Sequence, residues 1–84
     1  MRKIHVLGTG CPKCGQLEAN VRMAGAAYDE QVIVVKVGEI REIMEFGVMI
    51  TPAIVLDGKV VSKGKLLSVD EVTALLKAPR PEEA

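Results

Sequence analysis

Gly8-Thr9-Gly10-Cys11-Pro12-Lys13-Cys14 is the stretch on which the reading of this 84-residue chain turns. It follows a short apolar run, Ile4 to Leu7, that reads as a strand, and the glycines flanking Thr9 mark a turn. The segment after that turn has the grammar of a helix start. Cys11 stands at the N-cap, Pro12 at the first helical position, where its missing N–H costs nothing, and Cys14 at the third. Leu17, Val21, Ala24 and Tyr28 then recur four, three and four residues apart, a single apolar stripe along one helix. Gly25 weakens that helix without breaking the pattern.

Working outward, Val32 to Val37 has five β-branched residues in six and reads as a strand buried on both faces. Ile40, Ile43 and Met44 predict a short amphipathic helix from Ile40 to Phe46, closed by Gly47. Val48 to Pro52 is a loop. Ala53–Leu56 and Lys59–Val61 flank Asp57-Gly58, the dipeptide most typical of a two-residue hairpin. Ser68 and Glu71 have capping-box spacing and open a last helix with Val69, Val72, Leu75 and Leu76 apolar. Pro79 and Pro81 stop it, giving one domain over residues 1–78 and a flexible tail at 79–84. The order is β-α-β-α-β-β-α. The first two strands, joined through a helix, should be parallel and the last two antiparallel. The expected fold class is α/β, a four-stranded mixed sheet sandwiched by three helices.

Composition narrows the function. With 49% hydrophobic residues the chain can build a core, but Tyr28 and Phe46 are its only aromatics, so Val, Ile, Leu, Met and Ala must fill it. Eleven basic residues balance eleven acidic ones. No clustered positive charge points to nucleic acid or an anionic membrane surface. The basic Met1-Arg2-Lys3 start is followed by an apolar stretch too short for a signal peptide, and no run approaches membrane-spanning length. The default expectation is a soluble cytoplasmic protein. Two cysteines are too few for a secreted disulfide scaffold, and in a cytosolic setting such a pair is redox-active or metal-binding more often than structural.

The spacing of Cys11 and Cys14 puts both sulfurs at one end of one helical turn, where a short disulfide can close. Unsatisfied N–H groups and the positive dipole end stabilise an anion there, and a thiolate is such an anion. Lys13 adds a formal positive charge beside them. A free thiol of pKa ~8.5 is about 3% thiolate at neutral pH, and lowering the pKa to ~7 raises that roughly 16-fold. The weaker base is a poorer nucleophile by about fivefold, so attack gains only about threefold. The larger benefit comes when Cys11 departs as leaving group. Cys11, at the cap, should face solvent and attack; Cys14, one turn in, should be sheltered and resolve the mixed disulfide. The bland alternative is an inert buried pair, for which Gly-Cys-Pro-x-Cys after a strand is a poor design.

Cys11-Pro12-Lys13-Cys14 after the first strand and Thr51-Pro52 before the hairpin resemble the thioredoxin superfamily, especially its small glutaredoxin-like members, over roughly residues 3 to 77. The resemblance implies a thioredoxin-like fold and thiol–disulfide exchange with partner proteins or small thiols, with no cofactor and an electron source in a protein or small-thiol reductant. It also implies a cis bond at Pro52 and a substrate-binding role for Thr51, Pro52, Pro12 and Lys13, the last two beside the reacting sulfurs. Three departures stand out. Gly10 occupies the place where larger thioredoxins carry Trp. His5 sits where they carry a buried carboxylate, and could accept the Cys14 proton, although a partly exposed strand histidine is the commoner use. Ser62-Lys63-Gly64-Lys65 replaces the Gly-Gly turn and acidic residue by which glutaredoxins hold glutathione.

Two rivals use the same cysteines. A soft-metal module for copper or zinc would want a β-α-β-β-α-β order or two further ligands, and besides Cys11 and Cys14 only His5 offers itself. A redox-responsive interaction module would use Met44, Met49 and Ile50 beside Thr51 as a docking surface, although methionines at such places more often pack a core.

Overall fold

A computed structural model describes residues 2–77, so the expected tail at 79–84 lies outside the described residues. The elements are β1 (Arg2–Leu7), α1 (Pro12–Ala26), β2 (Val32–Val37), α2 (Ile40–Glu45), β3 (Ala53–Leu56), β4 (Lys59–Lys63) and α3 (Val69–Lys77), the expected order. The sheet runs β2-β1-β3-β4. β1 pairs in parallel with β2, from Arg2 opposite Val32 to Leu7 opposite Val37. On its other side β1 runs antiparallel to β3, from Ile4 opposite Leu56 to Leu7 opposite Ala53. β3 and β4 form the hairpin, with a register irregularity at Ile54/Val55.

Alternation along the central strands makes two cores. Ile4 and Val6 of β1 and Ile54 and Leu56 of β3 face α1 and α3, meeting Leu17, Val21 and Ala24 from one helix and Val72 and Leu76 from the other. Leu7, Ala53 and Val55 face the opposite way and join Val37, Ile43 and Val48 under α2. β3 is buried throughout because both its faces are covered.

β2 departs from the sequence reading. Its residues Val32 to Val35 are half-buried, Lys36 is exposed and Val37 alone is buried. The β-branched run does contact both layers, Val32 and Val34 one core and Val35 the other. Its place at the sheet edge leaves one flank without a neighbouring strand among the described residues, and no residue pattern announces that place. Lys36, on this edge, and Lys59 and Lys63, on the opposite edge strand β4, are exposed charges of the sort that discourages edge-to-edge pairing.

The local signals act as their chemistry requires. Asp57 (φ +50°) and Gly58 (φ +88°) both take left-handed backbone, the requirement of a hairpin turn whose twist matches the strands. The Glu71 N–H donates to Ser68 Oγ at 3.1 Å and the Ser68 N–H to Glu71 Oε1 at 3.0 Å, a complete capping box. The Gly47 N–H donates to the Met44 carbonyl at 2.9 Å, closing α2.

One anchor was not foreseen. Arg2 is 6% exposed in spite of its charge. Its Nε donates to Asp57 Oδ2 at 2.6 Å and its Nη1 to the Leu76 carbonyl at 2.7 Å. The Tyr28 hydroxyl donates to that same carbonyl at 2.8 Å. Asp57 in turn accepts from the Lys3 N–H at 3.1 Å and its own N–H donates to the Lys3 carbonyl at 2.9 Å. The start of β1, the hairpin turn and the last turn of α3 are thereby tied into one polar knot, at the sheet end remote from the Cys11 turn.

Candidate active site

β1 delivers the chain to its C-terminal end at Leu7, and the turn Gly8–Gly10 lifts it into α1. Cys11 is the N-cap with extended backbone, and Pro12 occupies the first turn as the spacing predicted. The Cys14 N–H donates to Cys11 Sγ at 3.3 Å. A helix N-terminal N–H and the dipole behind it are thus aimed at Cys11 Sγ, where they would favour an anion. Cys11 and Cys14 are joined as a disulfide, their Cα atoms 5.1 Å apart. The two are unequal in access: Cys14 is 2% exposed, whereas Cys11 is half-buried and Pro12 and Lys13 beside it are exposed.

Gly8 is what makes room for Cys14, a role beyond its reading as a turn glycine. A Cβ on Gly8 would lie 2.6 Å from Cys14 Sγ and 2.7 Å from Cys14 Cβ. The buried strand end and the buried cysteine share one space that no side chain larger than hydrogen can enter. The signal was a glycine three residues before Cys11 at the close of an apolar strand. Gly8→Ala should therefore cost about 1–3 kcal/mol and push Cys14 outward. In the reduced variant, iodoacetamide should modify Cys14 at least about tenfold faster than in the parent, read by mass. Gly38→Ala, whose Cβ would meet nothing closer than the Gly8 carbonyl at 3.5 Å, is the matched control. Equal Cys14 reactivity in parent and Gly8→Ala would show that the contact relaxes without consequence.

The Thr51-Pro52 bond is cis, as the resemblance implied. Pro52 is buried and Thr51 half-buried, and the Gly64 N–H donates to the Pro52 carbonyl at 2.7 Å. Thr9 from the turn before Cys11 and Thr51 from the proline loop line one apolar cleft of about 320 Å³ with Ile40, Met44, Val48 and Met49. The structure thus brings Thr51 to the rim of the turn that carries the cysteines. The expectation that the methionines would pack a core is overturned: Met49 is 90% exposed, Met44 and Ile50 are each 59% exposed, and Ile40 is 65% exposed. The inward positions of α2 and its following loop are already taken by Ile43 and Val48, which leaves these four facing solvent.

His5 is half-buried on the α2 face of β1, its ring centroid 5.2 Å from that of Phe46. Its Nδ1 is buried without a hydrogen-bond partner among the described residues. Burial, and after it the charge of Lys3, hold its pKa below the usual imidazole value. Among the described residues no three His, Cys, Asp or Glu side chains gather as metal ligands, so His5 does not join the cysteines in such a set. At Gly10 the backbone is left-handed (φ +95°), a conformation in which the Trp of larger relatives would be strained.

A dithiol at a helix start, one sulfur accessible and one enclosed, beside a cis-proline loop, defines a thiol–disulfide oxidoreductase site. Residues 2–77 match the family model described as a thioredoxin domain. A protein of Methanocaldococcus jannaschii named thioredoxin is 40% identical over 75 residues, covering 89% of this chain and 86% of that one. A Methanothermobacter thermautotrophicus protein of the same name is 33% identical over 76 residues, covering 90% and 99%. A solved structure titled as that of a malarial protein superposes with a TM-score of 0.72 over 92% of this chain and 94% of that one; at 18% identity it speaks for the fold. The chain belongs to the thioredoxin family.

Proposed function

We propose that this protein reduces disulfides in partner proteins, with Cys11 as the attacking nucleophile and Cys14 as the resolving thiol. The observation that carries the reading is the inequality of the two sulfurs, Cys14 enclosed beneath Gly8 and Cys11 at the accessible helix cap. The Cys11 thiolate attacks one sulfur of a partner disulfide; that S–S bond breaks, and the departing partner sulfur takes a proton from solvent. Cys14 then gives up its proton and attacks Cys11 Sγ, releasing the second partner thiol and leaving Cys11–Cys14 oxidised, the state the structure holds. Two electrons have passed to the partner, and a protein or small-thiol reductant must return them. Thr51 and Pro52 contact the incoming chain, and Pro12 and Lys13 border the attacking sulfur. We place this work in the cytoplasm, where reducing conditions would keep the dithiol supplied.

The test equilibrates the protein in defined thiol–disulfide buffers and counts reduced and oxidised forms by thiol-alkylation mass shift. A reversible two-electron transition between roughly −270 and −180 mV is the expected outcome, toward the negative end for a reductase. Failure of Cys11 and Cys14 to interconvert between dithiol and intramolecular disulfide would overturn the reading. Retention of one zinc or copper ion per chain by the reduced pair would turn attention to metal binding.

A further inference from the structure

On the α2 face of β1, His5 lies between Val35 of β2 and Val55 of β3, with its ring against that of Phe46 at 5.2 Å between centroids. Phe46 is the C-cap of α2, and its N–H donates to the Ile43 carbonyl at 3.1 Å. The helix it closes has little of its own to hold it. α2 is six residues long, well short of what persists as a helix in water, and its N-cap Glu39 makes no side-chain capping bond. Its place on the sheet therefore depends on Ile43, buried in the core below it, and on Phe46 with His5 beneath. Ile40, Ile43 and Met44 of this same helix wall the cleft beside Thr9 and Thr51.

The imidazole suits this place only when neutral. Its Nδ1 is buried with no hydrogen-bond partner among the described residues. A neutral ring can leave a bare lone pair there. The cation carries N–H on both nitrogens, so protonation makes Nδ1 a buried donor that faces no acceptor. On this face β1 adds Lys3, β2 presents Ile33, Val35 and Val37, and β3 presents Ala53 and Val55, with Lys63 of β4 opposite Ala53. Asp57, just beyond β3, is paired with Arg2, and Glu39, Glu42 and Glu45 of the α2 segment, like Arg41, are exposed. Among the described residues no acid forms an ion pair with His5. Burial, and after it Lys3, accordingly hold the His5 pKa below its usual 6.5. We propose that His5 is a proton-sensitive latch on α2: neutral, it seats Phe46 and the end of the helix on the sheet; protonated, it releases them and loosens that wall of the cleft.

Released, His5 titrates near the ordinary 6.5; seated, it titrates lower. The seated state is therefore fully favoured above about pH 7.5 and loses ground as pH falls through 6.5 toward the seated value. Amide exchange into deuterium, followed by NMR on the isotope-labelled full chain between about pH 5 and pH 7, reads this directly. Rates are divided by those of an unstructured chain at the same pH to give protection. Protection of the Ile43, Phe46 and Gly47 amides, each bonded within α2 or its caps, should fall at least about threefold from pH 7 to pH 5. His5→Leu, which can pack under Phe46 but takes no proton, should reduce that fall to less than about 1.5-fold. His5→Gln, also without a titrating group, is the second variant should His5→Leu not fold. The Cε1 proton shift of His5 gives its midpoint, expected below 6.5. A midpoint at or above 6.5, or the same pH dependence in parent and variant, would overturn the proposal. So would α2 amides that hold constant while those of α1 weaken, because His5 would then titrate only when the whole chain unfolds. None of these readouts involves the cysteines, so the reductase reading stands or falls separately.

Discussion

The Cys14→Ser variant should react once with a disulfide and stop. With Cys11 accessible at the helix cap, the first exchange remains available. The step lost is the second, in which an enclosed thiol 5.1 Å away, Cα to Cα, displaces the partner from Cys11. Well-oriented intramolecular groups act at effective concentrations on the order of 10⁵ M or more, which no dissolved thiol at millimolar concentration can match. Dithionitrobenzoate reads this directly. The reduced parent should release two thionitrobenzoate anions per chain and end as a disulfide without adduct. Cys14→Ser should release one and retain one in a stable mixed disulfide on Cys11, seen by mass. With insulin as substrate and little free thiol, its turnover should fall by at least about 100-fold. Trapping by Cys11→Ser instead would exchange the roles of the two residues. Turnover by Cys14→Ser within a few-fold of the parent would mean that one cysteine suffices.

The second large effect lies at the opposite end of the sheet. Arg2→Met keeps the apolar stem of the side chain but removes the charge that pairs with Asp57 and the donor on Leu76. The pair is largely enclosed, with side-chain exposures of 8% and 16%. Removing one partner of a buried pair costs about 3–5 kcal/mol. The lower end applies here, because Asp57 keeps the Lys3 N–H. A loss of about 3 kcal/mol is a large share of the roughly 4–12 kcal/mol expected for a domain of this size. Tm should fall on the order of 15 °C, at about 4–8 °C per kcal/mol. Urea unfolding followed by circular dichroism measures it, and a loss below about 1 kcal/mol would show that the knot is not holding α3. The dithionitrobenzoate stoichiometry of the folded variant should be that of the parent, since the knot and the dithiol stand at opposite ends of β1.

These two sites differ in how visible they were beforehand. Cys11, Pro12 and Cys14 announce themselves because capping and thiol chemistry act within one helical turn. The Asp57-Gly58 hairpin and the Ser68–Glu71 box are legible for the same reason, each being complete within four residues. The Arg2–Asp57 pair joins residues 55 apart, and the Gly8–Cys14 contact depends on how a strand end meets a helix. Neither leaves a periodicity. β2 shows the same limit, since its apolar run states which faces are covered but not that the strand lies at the edge. The exposed Met44 and Met49 mark another, because amphipathic spacing does not say which apolar side chains a small core has room for.

The Leu76 carbonyl, shared by Arg2 and Tyr28, also decides how this protein can be watched. The chain has no Trp and a single Tyr, so its ultraviolet absorption and emission above the peptide region come almost wholly from one phenol. That phenol donates a hydrogen bond to the last turn of α3. Its fluorescence is therefore a built-in gauge of whether α3 is docked, read at the end of the sheet away from the sulfurs.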